Sequence, residues 1–238
     1  MSHILVLGLG NTLLSDDGAG IRVLEAIEAA MGAAGAVPAR AGFFAADTPW
    51  TSESRWNWGG HDLRLVSASV GGFAFIDYLT GADAALIIDA VPAAWVARAF
   101  QPPARPGEGG GGRGAADVDG APGATNRVEP ARDPGDIALT GLNTFPPSAR
   151  LASGHEMNLA TAVAYARRLG LPMPSRVQVL GILAADVETF SEECTPAVTA
   201  AIPKAAAAAL DILRRWCRSS TTGEGCDTFE NSCTDHGH

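Results

Sequence analysis

Residues 4–31 read ILVLGLGNTLLSDDGAGIRVLEAIEAAM, and this stretch decides the fold. Ile4 to Leu9 is a continuous apolar run rich in β-formers, the pattern of a strand buried on both faces. Gly8-Leu9-Gly10-Asn11 ends it with a turn signal. Beyond the turn, Ile21, Leu24, Ile27 and Met31 recur three or four residues apart, with Gly32 and Gly35 near the end of the pattern. That is the apolar stripe of an amphipathic helix. A doubly buried strand feeding a helix is the opening unit of a parallel sheet with helices on its faces.

The remainder continues the alternation. Leu63 to Ser69 alternates as a second strand, Phe73 to Leu79 fits a short helix, and Ala85 to Val91 is a third strand. Ile137 to Leu139 suits a short edge strand, and Val177 to Leu183 is another apolar one. Ser153-Gly154-His155-Glu156 reads as a capping box, with Leu159, Val163, Ala166 and Leu169 marking the buried face of the helix it opens. Thr195-Pro196 opens the last helix as a cap followed by proline at the first helical position, and Pro203 is expected to kink or interrupt it. The architecture this implies is α/β: a three-layer α/β/α sandwich with a mostly parallel central sheet, one domain over residues 1–217. Two loop insertions decorate it, an irregular one at 37–61 and a Gly/Pro-rich one at 92–134. Gly107 to Gly114 is nearly pure glycine, and the second insertion has few large apolar residues to offset its ordering entropy, so a mobile surface loop is expected. Residues 218–238 are polar and read as a disordered tail.

Composition narrows the function. A net charge of −9 argues against a nucleic-acid groove or an anionic membrane surface. No run reaches the roughly 18 apolar residues of a membrane span, and the start MSHILVLG lacks a basic n-region and a cleavage site. Three of the four cysteines, Cys217, Cys226 and Cys233, crowd the C-terminus, which makes no core disulfide framework and points to a reducing cytoplasm. Cys226, Cys233, His236 and His238 match no strong zinc spacing.

Three polar features fall where open α/β sheets bind ligands, beyond the C-terminal ends of strands. They are Asp16-Asp17 after the first strand, Asp89 at the end of Leu86-Ile87-Ile88, and His155 in the first turn of its helix. A carboxylate on a buried strand carries a desolvation cost unless something pairs with it, so Asp89 stands out. A helix N-terminus disfavours imidazolium, and a neutral imidazole coordinates metal. Two carboxylates and an imidazole suit a borderline divalent ion. Plainer readings stand beside this one: Asp16 as a cap for the helix that follows, Asp17 as first-turn decoration, Asp89 bonded to backbone amides, His155 as a surface residue. A dinucleotide site fits poorly. Leu13 stands where G-x-G-x-x-G needs its third glycine, and the second strand ends Ser67-Ala68-Ser69, without an acid for the ribose.

The run GLGNTLLSDDGAGIRVLEAI resembles the N-terminal signature of the hydrogenase maturation proteases, G-x-G-N followed by two apolar residues and D-[DE]-x-x-G. LIIDAV resembles the family's second block, SGHEMNLATAVAYARRLG its third, and TPAVTAAIPKAAAAAL its closing helix. By that resemblance Asp17, Asp89 and His155 fall on the family's metal-contacting positions, the first of which is often Glu. The resemblance implies an aspartic-type endopeptidase that removes a C-terminal peptide from the large-subunit precursor of a nickel–iron hydrogenase. It implies no resident cofactor, since nickel is recognised in the substrate. Two departures are visible. Ser67-Ala68-Ser69-Val70-Gly71-Gly72 replaces a D-G-G-T-x-G type loop, and Gly181-Ile182-Leu183-Ala184 replaces G-I-E-P. A non-catalytic metal-sensing chaperone for the precursor, or a general metallohydrolase with its own ion, would use the same residues.

Overall fold

Each side of the apolar run at residues 4–9 meets a different core. In the computed structural model, which describes residues 2–39, 51–92, 133–142 and 159–219, this run is strand β1 (His3–Leu9). Ile4 and Val6 face one apolar cluster, and Leu5, Leu7 and Leu9 face the other. The other strands are β2 (Val37–Ala39), β3 (Ser52–Trp58), β4 (His61–Ala68), β5 (Ala84–Pro92), β6 (Ile137–Gly141) and β7 (Arg176–Ala184). The helices are α1 (Ala19–Ala33), α2 (Ala74–Leu79), α3 (Leu159–Arg168) and α4 (Pro196–Ser219). The strands form one mixed sheet in the order β2-β3-β4-β1-β5-β7-β6. β4, β1, β5 and β7 run parallel, and β3 and β6 pair antiparallel at either side of them. One face is covered by α1 and α4 through Val23, Ile27, Ala205, Leu213 and Trp216. The other is covered by α2 and α3 through Phe75, Leu79, Leu159 and Val163. The three layers expected from the sequence are present.

Local differences have physical causes. Residues 51–60, read as part of an irregular insertion, hold β3, a hairpin partner of β4. Its turn is Gly59-Gly60, with φ of 58° and 79°, the pair of positive values that a two-residue hairpin turn demands. In α1 the stripe runs through Val23 rather than Ile21. In α3, Ala162 is buried and Leu169, past the helix end, is 59% exposed. Pro203 does not interrupt α4, which continues to Ser219, two residues into the stretch assigned to the tail. Thr199 and Pro203 both lie on the exposed side, so the carbonyl that loses its i→i−4 donor can turn to water. By length and composition alone α4 could cross a membrane. Its apolar side packs instead against α1 and the sheet. The glycine-rich stretch, the 153–156 capping box and the C-terminal Cys/His residues lie outside the described residues.

Candidate active site

Backbone crowding creates the site. A Cβ on Gly20 would stand 2.3 Å from the Leu9 carbonyl oxygen and 2.4 Å from that of Ile88. Only a bare α-carbon lets the start of α1 press onto β1 and β5 at that point. Gly10, at φ +151°, faces the Asp17 carbonyl oxygen in the same way, with a virtual Cβ only 2.1 Å away. The glycines of the first motif therefore serve backbone packing, and they fold residues 11–18 back over the end of β1.

That loop is sewn to the connection between β7 and α4. Ser191 N–H donates to the Leu13 carbonyl at 3.0 Å, and Ser15 N–H donates to the Ser191 carbonyl at 2.8 Å. Asp16 N–H donates to the Asp186 carbonyl at 3.0 Å. Arg22 reaches the Glu192 carbonyl from the first turns of α1. Ser15 pays for this stitching with a left-handed backbone, φ 46°, a conformation costing about 1–3 kcal/mol in a non-glycine residue. No pattern in the sequence announced that strain.

Asp16 is fully buried. Its carboxylate accepts from Ala185 N–H at 2.9 Å, Asp186 N–H at 3.1 Å, Thr195 N–H at 2.7 Å and the Thr195 hydroxyl at 2.9 Å. It does not cap α1, which has no side-chain cap; it pins the β7–α4 connection and the residue before α4. Its neighbour Asp17 lies in the 3-10 turn Ser15–Gly18, is only partly buried, and accepts from Asn11 N–H at 2.9 Å. One carboxylate of the pair is structural and the other lies nearer the surface.

Asp89 sits inside β5 rather than at its end, and is 1% exposed. β1 pairs with β5 only as far as Gly8 opposite Ile88, whereas β5 and β7 continue to Pro92 opposite Ala184. Asp89 is thus the first residue of β5 beyond the reach of β1, and the 3-10 turn carrying Asp17 packs against β5. Strand alternation from Ile87 points Asp89 to the face covered by α2 and α3. The chain leaves β1 through α1 towards β2, β3 and β4, then crosses back through α2 to β5. The gap between β1 and β5 is therefore the topological switch point, where such sheets bind ligands.

His155 lies outside the described residues, four positions before α3. Among the described residues no three metal-binding side chains cluster. His3 and His61 open β1 and β4, at the opposite end of the parallel strands from Asp17 and Asp89, so neither stands in for His155. Cys194 offers no nucleophile: burial, above all else, pushes its thiol up, and it donates to the Ser15 carbonyl at 3.5 Å.

No family model matches the chain. The chain is 25% identical over 233 residues to the hydrogenase expression/formation protein HupD of Rhodobacter capsulatus, covering 98% of this chain and 80% of that one. Its fold is that of the hydrogenase maturating endopeptidase HybD from E. coli, with a TM-score of 0.53 and 20% identity over 90% of this chain and 93% of that one. A second endopeptidase structure from E. coli aligns with a TM-score of 0.50 and 19% identity, over the same shares.

Proposed function

We propose that this chain, a hydrogenase maturation protease by its full-length sequence likeness and shared fold, removes a C-terminal peptide from the nickel-loaded large-subunit precursor of a nickel–iron hydrogenase. One observation supports the reading: the 3-10 turn bearing Asp17 packs against β5, the strand that carries Asp89 just past the reach of β1. Nickel belongs to the substrate, where its presence reports that loading is complete. Asp17 and Asp89 supply oxygen ligands to that ion, and His155 supplies the third. Water attacks the scissile carbonyl carbon. One of the two carboxylates takes the water's proton as general base and returns it to the departing amine, so the C–N bond breaks with no net proton change.

The experiment incubates the purified chain with nickel-loaded precursor and follows the precursor by mass spectrometry. Loss of a discrete C-terminal peptide by the wild type, and none with Asp89→Asn, supports the reading. A precursor bound yet unshortened by the wild type supports the chaperone instead.

A further inference from the structure

Phe190 is 77% exposed, the most exposed large apolar side chain among the described residues. An exposed ring contributes little to folding, since it stays in water. Its backbone, however, is held on both sides. Thr189 N–H and Glu188 N–H donate to one Asp186 carboxylate oxygen at 2.9 and 3.0 Å, closing a tight turn just before Phe190. Just after it, Ser191 bridges to Leu14 and exchanges hydrogen bonds with Leu13 and Ser15. The ring is therefore presented by an ordered loop, so docking it costs little further entropy. The same stitching attaches it to the loop that carries Asp17. Glu188, Glu192 and Glu193, all exposed and within three residues of it, put negative charge on the same loop.

We propose that Phe190 is a specificity-determining anchor, which inserts into an apolar pocket with a basic rim on the folded precursor and thereby holds the precursor against the loop that carries Asp17. This rests on the protease reading for the identity of the partner. A rigid aromatic seated in a pocket and ringed by charge is the usual make-up of an interface hot spot, the ring supplying affinity and the charges the rate of encounter.

The test compares wild type and Phe190→Ala in cleavage of nickel-loaded precursor. In parallel it measures direct binding of that precursor to Asp89→Asn and to Asp89→Asn/Phe190→Ala. The ring anchors the precursor if KM and Kd rise at least tenfold while kcat stays within twofold and Tm is unchanged. Phe190→Leu, which keeps an apolar plug, then recovers part of the affinity. Wild-type KM and Kd in Phe190→Ala overturn the proposal, and so does a lowered Tm with unchanged binding, which makes the ring structural. If the wild type does not cleave but binding still depends on Phe190, the protease reading falls and the docking inference stands.

Discussion

The strip formed by β3, β4 and the start of β1 and the C-terminal end of β1 and β5 both gather acidic residues, and handle them in opposite ways. On the strip, acids meet bases. Glu53 pairs with Arg55 at 3.1 Å and with Arg64 at 3.0 Å, and Asp62 pairs with His3 at 3.1 Å and Arg55 at 3.6 Å. Residues of this network line a cavity of about 200 Å³. The charges cancel and all are partly solvated, so the strip holds neither strong field nor much stability. At the other end, Asp16 is satisfied by three N–H groups and a hydroxyl. Dipoles hold that carboxylate without neutralising it. In the proposed reaction, a cation carried by the substrate would meet that charge at the end of the sheet where Asp17 and Asp89 lie.

The largest effect expected from this contrast is on chemistry. Asp89→Asn and Asp17→Asn should each lower precursor cleavage by about 100-fold or more, the one through loss of the general base and the other through loss of a charged ligand to the substrate's ion. Tm should stay close to wild type, because Asn nearly matches Asp in shape. Turnover near wild type in both variants would move the active site away from the switch point. Next in size is Asp16→Ala, which leaves four partly buried donors without their acceptor. At a little under about 1 kcal/mol for each of the four, since water reaches this connection, stability should fall by about 3 kcal/mol, and Tm by roughly 10 °C in a chain of this size. A thermal melt decides it, and an unchanged Tm would deny Asp16 its pinning role. Charge removal on the strip should matter less than either. Arg64→Met should cost under about 1 kcal/mol and leave cleavage untouched. A loss of cleavage there would mean the strip takes part in the reaction.

This contrast also explains how much could be read in advance. β1, β5 and β7 were legible because strands buried on both faces must be continuously apolar, and α1 because its period is strong. β3 was not, since Ser-Glu-Ser-Arg-Trp-Asn-Trp alternates in half-exposed positions whose polar residues pair across the strip; only Gly59-Gly60 signalled the hairpin. At the site, Asp89 was visible as an acid in an apolar run. The division of labour between Asp16 and Asp17 was not, because it depends on residues 185–195, some 170 positions away in the chain. A local reading could see only a helix start and made Asp16 its cap. The strained Ser15 and the exposed Phe190 were hidden for the same reason: each takes its meaning from the stitching between the two loops.

The smallest effect concerns the turn that shapes the Phe190 loop, and it sharpens the contrast between charges held by dipoles and charges held by bases. Hydrogen bonds from Thr189, side chain and backbone, and from Glu188 N–H hold the Asp186 carboxyl below its usual range. The unfolded chain takes up the proton near pH 4, the folded one at lower pH. Asp186 therefore contributes stability that is fully present above the unfolded value and is lost as pH falls through the folded one. Asp186→Asn keeps an acceptor oxygen but no charge. Its Tm should lie slightly below wild type at pH 7, and the gap should close as the pH drops below about 4. A pair on the strip behaves differently, since salt screens exposed ion pairs. Melts at pH 7 and at low pH, each with and without added salt, separate the two. A gap that closes with salt already at pH 7 would place Asp186 among the base-held charges, and the loop beneath Phe190 would lose its tie.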